Sequence, residues 1–438
     1  MATETKNTKA FYNTEIPGDW EAPEFGNIFS FLKTYSFSRE QLSSEPTNDG
    51  IRNIHYGDIH ATYENEILDL EIEKTIPYLN DGLINPKRFK EESFPALKEG
   101  DLIIADASED YEGVCGCVEL RNVNSVKIVA GLHTFAARTS DEIVALGYRT
   151  YSLKHEQVIR ELRRIATGTS VYGVSKTNLS RVKIPLPTLP EQLAIAQVLS
   201  TADAAIHTTE KLIAQKELRK KWLMQQLLTG KKRLKGFGGE WKEKKLSDLF
   251  DRVTRKNTEG NTTVVTISAQ RGFVRQTDFF NKNIASEITD NYFLVEKGEF
   301  CYNKSYSNGY PWGATKRLND FDKAVVTTLY ICFGVKDKKK TNPEYFEQFF
   351  GANHLDKGLT KIAHEGGRAH GLLNVTPSDF FSLKITVPSY TEQTAIAQVL
   401  QVADKEISLL KAKAAKLREQ KKGLMQQLLT GKVRLKIN

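Results

Sequence analysis

Residues 191–203 read Glu-Gln-Leu-Ala-Ile-Ala-Gln-Val-Leu-Ser-Thr-Ala-Asp, and residues 392–404 read Glu-Gln-Thr-Ala-Ile-Ala-Gln-Val-Leu-Gln-Val-Ala-Asp, with 10 of 13 positions identical. Residues 220–235 recur at the same offset of 201 as residues 421–436, with 14 of 16 positions identical. Self-similarity at a fixed offset is the signature of a repeated architecture. The 438-residue chain is therefore two copies of one unit, each a variable body followed by a nearly constant segment.

The constant segments carry the signals of a long helix. Each begins with a pattern typical of a capping box, Thr188-x-x-Glu191 and Ser389-x-x-Glu392. Each ends in Leu-Leu-Thr-Gly, where a glycine suits the left-handed C-terminal cap. We expect two helices of about 40 residues, ~60 Å long if unbroken. A break near Asp203 in the first copy or its equivalent in the second remains open.

Apolar residues in these segments step alternately by four and three, which predicts a coiled-coil seam. The first copy places Thr209, Lys216 and Lys220 in that seam. Pairing across a perpendicular dyad would make the helices antiparallel, which we predict; a dyad along the helices stays open and would put both bodies at one end. The candidate spacer and partner-docking residues are Leu199, Ile206, Leu223, Met224, Leu227, Leu400, Ile407, Leu424, Met425 and Leu428.

The bodies combine short β-rich runs with helical stretches and lack a regular βαβ rhythm, so the predicted fold class is α+β. Strands are predicted at residues 101–105, 126–130, 263–267 and 324–332, and helices at 157–165 and 343–350. The predicted organisation has two bodies, at 1–187 and 236–387. The two spacer helices occupy 188–235 and 388–438.

Charge is concentrated in the constant segments. The net charge is +8, yet residues 203–235 hold nine Lys/Arg against three Asp/Glu, and residues 404–436 hold ten against three. Such basic runs suit either a solvated helix surface or attraction to phosphates. The N-terminus lacks the apolar core of a signal peptide, and no apolar run reaches the ~18 residues of a membrane span. We therefore expect a cytoplasmic protein without membrane contact, whose four cysteines are reduced.

The sequence lacks recognisable motifs for catalysis, phosphate binding or metal binding. The sequence Asn342-Pro343-Glu344-Tyr345 lacks the second proline of a DNA adenine methyltransferase motif, and no phosphate-binding G-x-x-x-x-G-K-[ST] is present. Cys115 and Cys117 are spaced too tightly for a usual zinc knuckle, and the eight histidines are scattered. We predict no catalytic residue and no metal site.

Two groups of polar-aromatic loops are candidates for DNA contact, because they mix flat rings, donors and acceptors on flexible glycine frames. An ordinary surface loop with Tyr310 and Trp312 packed inward is the alternative. In the second body the candidates are Lys304, Ser305, Tyr306, Asn308, Tyr310, Trp312, Lys316 and Arg368. In the first body they are Asp110, Tyr111, Ser170 and Tyr172.

The duplicated E-Q-x-x-I-A-x-x-L helix start and L-M-Q-Q-L-L-T-G-K-x-R-L helix end resemble the specificity subunits of type I restriction–modification systems. Residues 54–59, 239–250 and 302–313 carry weaker cues of the same family. The resemblance implies a non-catalytic subunit whose two bodies each read one part of a bipartite asymmetric site on double-stranded DNA. It also implies that two methyltransferase (modification) subunits dock on the helices and that endonuclease/translocase (restriction) subunits join them. S-adenosylmethionine, Mg²⁺ and ATP would then belong to those partners.

Two other classes of function remain open. A self-sufficient DNA methyltransferase or nuclease would modify or cut DNA as a purified chain. A coiled-coil scaffold would fail to bind any duplex, at any salt concentration, even with a methyltransferase partner present.

Overall fold

The computed structural model describes residues 3–4, 7–63, 65–84, 97–123, 126–279, 289–365 and 373–436. The chain forms two compact units. Unit 1 contains Met1–Glu210 and Ala412–Asn438, and unit 2 contains Lys211–Lys411. Each unit thus combines a body, the first half of the helix that follows it and the second half of the other long helix.

Unit 1 is built on a five-stranded sheet of order β4-β13-β9-β11-β7 and a four-stranded sheet of order β12-β6-β8-β5. Its strands are β1 (Thr3–Glu4), β2 (Thr8–Phe11), β3 (Thr14–Pro17), β4 (Ser30–Leu32), β5 (Leu42–Ser43), β6 (Arg52–Ile54), β7 (Ile67–Asp69), β8 (Tyr78–Leu79), β9 (Leu102–Ala105), β10 (Ala107–Ser108), β11 (Cys117–Arg121), β12 (Ile128–Ala130), β13 (Thr134–Arg138) and β14 (Tyr172–Gly173). Its helices are α1 (Phe25–Ile28), α2 (Tyr56–Ala61), α3 (Arg149–Ser152), α4 (Glu156–Ile165) and α5 (Lys176–Ser180), with a 3₁₀ turn at Arg39–Gln41.

The central strand β9 separates two apolar layers of unit 1. Side chains alternate across a strand. Leu102 and Ile104 accordingly lie in the cluster that also holds Trp20 and the helix residue Leu199. Ile103 and Ala105 lie in the cluster on the other face. The start of the long helix is therefore part of the core of its own body.

Unit 2 is built around a four-stranded sheet of order β16-β23-β20-β21. Its strands are β15 (Lys242–Lys245), β16 (Phe250–Val253), β17 (Val265–Ser268), β18 (Gly272–Arg275), β19 (Phe293–Glu296), β20 (Phe300–Asn303), β21 (Ala314–Arg317), β22 (Lys323–Val326), β23 (Ile331–Val335), β24 (His364–Glu365), β25 (Leu373–Asn374) and β26 (Lys384–Val387). Its short helices, numbered after the first long helix α6 (Leu189–Leu227), are α7 (Leu246–Leu249), α8 (Gln276–Phe279), α9 (Pro343–Gly351), α10 (Asp356–Ile362) and α11 (Pro377–Ser382).

A cluster of phenylalanines fills the core of unit 2. The rings of Phe300 and Phe333 stack with centroids 5.5 Å apart, and Phe250 meets Phe346 edge-on at 5.0 Å. Leu400, on the second long helix α12 (Tyr390–Leu428), is fully buried in the same cluster. As in unit 1, the long helix starts inside the body that precedes it. The last strand of the chain, β27 (Val433–Arg434), pairs with β1 in unit 1.

The helices α6 and α12 are each 39 residues long and run without a break through Asp203 and Asp404. Within each unit, ion pairs connect α6 to α12. As the residue number of the α6 partner rises, that of the α12 partner falls, so the two helices are antiparallel. In unit 1 these ion pairs are Asp203–Lys421 and Glu210–Arg418, and in unit 2 they are Lys216–Glu406 and Lys220–Asp404. The predicted antiparallel pairing and the α+β class are confirmed. The four segment boundaries predicted from the sequence stay a prediction.

Most predicted body elements form, with one correction. The strands near 101–105, 126–130 and 263–267 and both helices correspond to β9, β12, β17, α4 and α9. The single strand predicted over 324–332 is wrong. Residues 327–330 turn the chain there, and the backbone N–H of Tyr330 donates to the Thr327 carbonyl at 3.2 Å. The two strands on either side, β22 and β23, consequently pair in different sheets.

Candidate DNA interface and helix pair

A buried glutamate connects the start of each long helix to two other parts of its unit. In unit 1 the Glu191 carboxylate accepts hydrogen bonds from the Trp20 indole at 3.0 Å and from Arg434 at 2.5 and 2.6 Å. Arg434 also donates to Asp19 at 2.8 and 2.9 Å. These hydrogen bonds to Asp19 and Glu191 raise the pKa of Arg434, and Arg434 in turn lowers the pKa of Asp19.

The same arrangement recurs in unit 2. Glu392 accepts hydrogen bonds from Arg233 at 2.5 and 2.6 Å and from the Trp241 indole at 3.3 Å. In both units an arginine near the end of one repeat meets a glutamate at the helix start of the other. We call each set, Trp20–Glu191–Arg434 and Trp241–Glu392–Arg233, a latch.

The latches correct the capping-box prediction. In a capping box the glutamate turns back to the backbone N–H of the N-cap. Here Glu191 and Glu392 are buried and point to arginine and tryptophan instead. Only the serine half forms in α12, where the Ser389 hydroxyl accepts from the Glu392 N–H at 3.4 Å. The motif resembles a capping box in sequence, but its glutamate pairs with an arginine from the end of the other repeat. The predicted C-terminal glycines do adopt left-handed backbones, with φ of 71° at Gly230 and 67° at Gly431.

The glutamine after each glutamate fixes the body to its helix. The Gln192 side chain accepts from the Ala145 N–H at 2.8 Å and donates to the Pro187 and Ile143 carbonyls. Gln393 repeats this with the Asn342 N–H at 2.9 Å and the carbonyls of residues 388 and 340. Because both amides are buried and fully used, the Glu-Gln pair of the repeat is explained by structure.

Polar side chains meet between the helices in each unit. In unit 1 the Lys421 ammonium lies 2.5 Å from both Asp203 and Glu66. Burial lowers the pKa of Lys421, but the two carboxylates more than offset that effect and the pKa lies above its ordinary value. In unit 2 Lys220 contacts Asp404 at 2.5 Å, and Asp404 also accepts from Gln348 at 2.9 Å. The lysines in the predicted seam are thus matched by acids of the opposite helix.

The predicted spacer residues face the inside of their units. Leu199, Ile206, Leu227, Leu400, Ile407 and Leu428 are buried, and Leu223, Met224, Leu424 and Met425 are half-buried against the two main cores. A partner protein cannot reach the six buried side chains. The spacer and partner-docking roles of these residues therefore stay a prediction.

In unit 2 the predicted DNA loop connects β20 to β21. Tyr306 is exposed, and the Lys316 ammonium donates to the Tyr310 hydroxyl at 3.2 Å and lies 4.7 Å from the Tyr310 ring centre. Lys304 instead donates to the Val375 carbonyl at 3.1 Å, and burial lowers its pKa. Trp312 packs against the phenylalanine core, as the alternative reading expected.

The other predicted residues of unit 2 contribute backbone atoms or fall outside the structure. The backbone N–H of Ser305 donates to the Asn303 side chain at 3.0 Å, and the Asn308 carbonyl accepts from Gln270 at 3.0 Å. Arg368 lies outside the described residues. These residues shape the loop, while Tyr306, Tyr310 and Lys316 present side chains at its surface.

A polar cavity of about 370 Å³ adjoins this loop. Tyr310 and Lys316 line it together with residues that sequence reasoning missed, among them Arg271 and Asn319. The missed residues belong partly to the β17–β18 hairpin, whose Gln-Arg-Gly-Phe-Val-Arg sequence at 270–275 is a basic turn that could have indicated them. The candidate DNA interface of unit 2 is therefore this loop together with the adjacent hairpin.

In unit 1 the pairing of β10 with β14 brings most of the predicted residues together. The Tyr111 and Tyr172 rings lie 5.2 Å apart, and the Asp110 carboxylate accepts from the Gly113 N–H at 2.5 Å. Ser170 is exposed in the turn just before β14. These side chains form one polar-aromatic surface.

Sequence reasoning missed a histidine pair beside that surface. His133 donates from Nδ1 to Asp106 at 3.2 Å, and His60 donates from Nε2 to the Ala107 carbonyl at 3.1 Å. The Tyr56 ring meets His133 edge-on at 5.4 Å. Burial raises the pKa of Asp106, and His133 opposes that shift. Asp106 lies four residues before the predicted Asp110, and this closeness in sequence was the available signal.

Among the described residues, no group of three or more His, Cys, Asp or Glu side chains could hold a metal ion. Within the same part of the chain, no helix is long and apolar enough to cross a membrane. All four cysteines are free and buried.

The family model for the type I restriction modification DNA specificity domain matches residues 17–217 and again 238–419. The chain belongs to this specificity family. The double match reproduces the repeat that the constant segments revealed. As a type I specificity subunit, the chain is the non-catalytic, DNA-recognising component of its restriction–modification system.

Two curated relatives come from Methanocaldococcus jannaschii. The type I restriction enzyme MjaX specificity subunit is 26% identical over 446 residues, covering 96% of this chain and 95% of the relative. The MjaVIII specificity subunit is 23% identical over 463 residues, covering 98% and 97%. Both likenesses extend over the two bodies and the two helices of the specificity subunit.

Two solved structures share the fold. The S subunit of a type I restriction–modification system from M. genitalium has a TM-score of 0.53 and 14% identity, covering 96% of this chain and 98% of the other. A chain from a study of complex assembly and conformational transition of the type I R-M system has a TM-score of 0.53 and 15% identity, covering 96% and 100%. At these identities the likeness shows the specificity-subunit fold alone.

Proposed function

We propose that each unit reads one part of a bipartite, asymmetric sequence on double-stranded DNA. The observation that carries the proposal is that the units share a framework and differ in their loops. Both have the same latch and the same glutamine contact, whereas the candidate surface holds His133, Asp106 and Tyr111 in unit 1 and Tyr306 and Lys316 in unit 2. Different side chains present different donors and acceptors to base edges, so the two parts of the site differ in sequence.

The chemistry of DNA modification is proposed to come from partners. Two methyltransferase subunits dock on the helix pairs, and endonuclease/translocase subunits join the complex. S-adenosylmethionine, Mg²⁺ and ATP bind to those subunits, and the target adenine is extruded into a partner's pocket. The place of action is the cytoplasm, because chromosomal and invading DNA meet the complex there.

Mapping N6-methyladenine in DNA from cells that express the chain with its methyltransferase subunit tests the proposal. We expect one motif made of two defined parts separated by a fixed number of undefined bases. The matched variant is a chain whose unit 1 loop between β10 and β11, residues 109–113, is replaced by a Gly-Ser loop of equal length. That chain should lose methylation at the bipartite motif while still binding the methyltransferase subunit. Methylation at a single continuous motif would contradict the proposal.

The cofactor assignment has its own test. Calorimetry with S-adenosylmethionine should show no binding to the purified chain and binding to its complex with the methyltransferase subunit. Saturable binding to the chain alone would favour a self-sufficient methyltransferase.

A further inference from the structure

His133 lies in the short turn between β12 and β13, beside the polar-aromatic surface of unit 1, and its side chain is 52% exposed. Its backbone is left-handed, with φ of 52°. Residues other than glycine adopt that conformation infrequently, although histidine and asparagine do so more often than most. Such positions cluster at binding sites. The turn therefore combines an unusual backbone with an exposed imidazole.

Hydrogen bonds fix the turn that carries His133. The Gly131 N–H donates to a carbonyl of β6 at 2.8 Å, and the Leu132 carbonyl accepts from the Tyr56 N–H at 3.3 Å. The His133 carbonyl accepts from the Asp106 N–H at 3.0 Å. The Tyr56 ring also packs edge-on against the imidazole. Backbone and ring are thus held before a ligand arrives, which lowers the entropy cost of binding through this side chain.

Asp106 determines which ring nitrogen of His133 carries the proton. Its carboxylate lies 3.2 Å from Nδ1. An ionised carboxylate only accepts hydrogen bonds, so in the neutral ring Nδ1 bears the hydrogen and Nε2 keeps its lone pair. Burial raises the pKa of Asp106, and His133 together with Lys176 opposes that shift. Within the described part of the chain no hydrogen bond uses Nε2. The ring therefore keeps an acceptor for which the chain itself has no use.

The other histidine rings described in the body of unit 1 have structural partners. His55 and His155 cap α2 and α4 by accepting from backbone N–H groups, and His60 donates to the Ala107 carbonyl. His133 caps no helix and bonds through its ring to the Asp106 side chain instead. A ring that is fixed at one nitrogen and keeps a lone pair at the other is suited to hydrogen bonding with a ligand.

We propose that His133 reads one base in the part of the DNA site that unit 1 binds, with Asp106 as its positioning residue. This inference rests on the proposed function, because it takes unit 1 as a reader of base edges. Nε2 accepts a hydrogen bond in the major groove from an exocyclic amino group, N6 of adenine or N4 of cytosine. Guanine and thymine present acceptors there, which would face the Nε2 lone pair and are rejected.

Duplexes with single base analogues test the inference. At each position in the unit 1 part of the mapped motif, adenine or cytosine is replaced by the same base without its exocyclic amino group. The full-length chain in complex with its methyltransferase subunit should bind one such duplex roughly fivefold or more weakly at pH 8, the effect of one hydrogen bond. In His133→Asn that loss should vanish. Asparagine suits the left-handed backbone and has a shorter side chain than histidine.

Asp106→Asn tests the positioning role. An amide can donate as well as accept, so it permits the hydrogen to move from Nδ1 to Nε2 of His133. The same position of the motif should then admit guanine or thymine, a change of base preference that mere destabilisation would not produce. Glu45→Gln is the control. It makes the same charge change at an exposed residue after β5, the edge strand opposite β12, and should keep the wild-type preference.

Nitrogen-15 NMR of the chain labelled at histidine reads the ring directly. We expect a hydrogen on Nδ1 and a lone pair on Nε2 of His133 in the wild type, and loss of that pattern in Asp106→Asn. The spectrum of His133→Asn assigns the signal. Circular dichroism and thermal melting verify that each variant folds, and Asp106→Asn keeps the inference testable if His133→Asn does not.

The outcomes separate the inference from the function beneath it. A hydrogen on Nε2 in the wild type, or amino-group effects that are the same with and without His133, would overturn the inference and leave a bipartite motif standing. Equal weakening of all sequences in His133→Asn would indicate a phosphate contact and overturn it too. A single continuous motif would instead contradict the proposed function.

Discussion

Arg434 and Glu191 form a two-point ion pair although 243 residues separate them in sequence, with Nε–Oε1 at 2.5 Å and Nη2–Oε2 at 2.6 Å. Arg233 and Glu392 repeat the relationship in unit 2. In both units the glutamate is buried beside a tryptophan. The end of the second repeat is therefore held in unit 1 by an ion pair, and the end of the first repeat is held in unit 2 in the same way.

Removing the arginine of a latch should destabilise its own unit. We expect Arg434→Met to lower the free energy of unfolding of unit 1 by about 3 kcal/mol, because it leaves the Glu191 carboxylate buried without its cation. Hydrogen exchange during denaturant titration measures this for each unit separately, since a chain of two units need not unfold in one step. Lys436→Met, which removes an exposed charge two residues away, is the control and should change little. Equal effects of both variants would contradict a structural role for the latch.

His155 should make the stability of unit 1 depend on pH. It caps α4, with Nδ1 accepting from the Gln157 N–H at 3.1 Å, and burial lowers its pKa to about 4. The unfolded chain, with an ordinary histidine pKa near 6.5, binds the proton more readily. The stabilising contribution is thus complete above about pH 6.5 and is lost as the pH falls from there through about 4.

The matched variant for this prediction is His155→Asn, which keeps an N-cap side chain and does not titrate. Denaturation curves between pH 4 and 7 should show a shallower loss of unit 1 stability in the variant, a difference of about 3 kcal/mol at most. His133→Asn, at an exposed histidine, is the control and should retain the steep dependence. Parallel pH profiles for wild type and His155→Asn would rule this explanation out.

Lys316 and Tyr306 should contribute to DNA binding in different ways. A lysine that neutralises a phosphate lowers affinity for all sequences when removed, and it reduces the salt slope of log K by about 1. We expect Lys316→Ala to do this in fluorescence anisotropy with the assembled complex. Tyr306→Ala should instead weaken binding to the specific duplex by about 1–3 kcal/mol and leave the salt slope unchanged, because it removes a contact to a base edge and no positive charge. Lys338→Ala, at an exposed lysine outside the loop, is the control. An unchanged slope in Lys316→Ala would exclude the phosphate contact.

The paired helices should set the spacing of the recognised sequence. One added helical turn of four residues lengthens a helix by ~6 Å, which corresponds to about two base pairs. The insertion has to be made in both helices, after residues 210 and 411, because the antiparallel ion pairs tie each helix to the other within each unit. Methylation mapping should then show an undefined stretch about two bases longer, whereas insertion in one helix should abolish methylation. An unchanged motif in the double insertion would contradict the spacer role.

Sequence alone established the repeat, the two long helices with their apolar seam and the α+β bodies, whereas it predicted the antiparallel pairing and left a dyad along the helices open. These features follow from local pattern, since a 3.5-residue apolar period and left-handed glycine caps depend on neighbours along the chain. The prediction failed where a local pattern had a distant partner. Glu191 and Glu392 looked like caps, and the run at 324–332 looked like one strand because its apolar residues continue across a turn.

The tertiary structure decided which side chains remain available for binding. It buried Leu199 and Leu400 in the two cores, fixed Lys304 to a carbonyl and placed His133 beside Asp106. It also showed that Leu218 and Trp222 of α6 are exposed, whereas the residues at the matching positions of α12 are not large apolar ones. Periodicity can determine that a helix is amphipathic, but exposure depends on contacts between residues far apart in sequence. For that reason the sequence determined the repeat and the long helices, and only the folded chain could show which surfaces are exposed and available for binding.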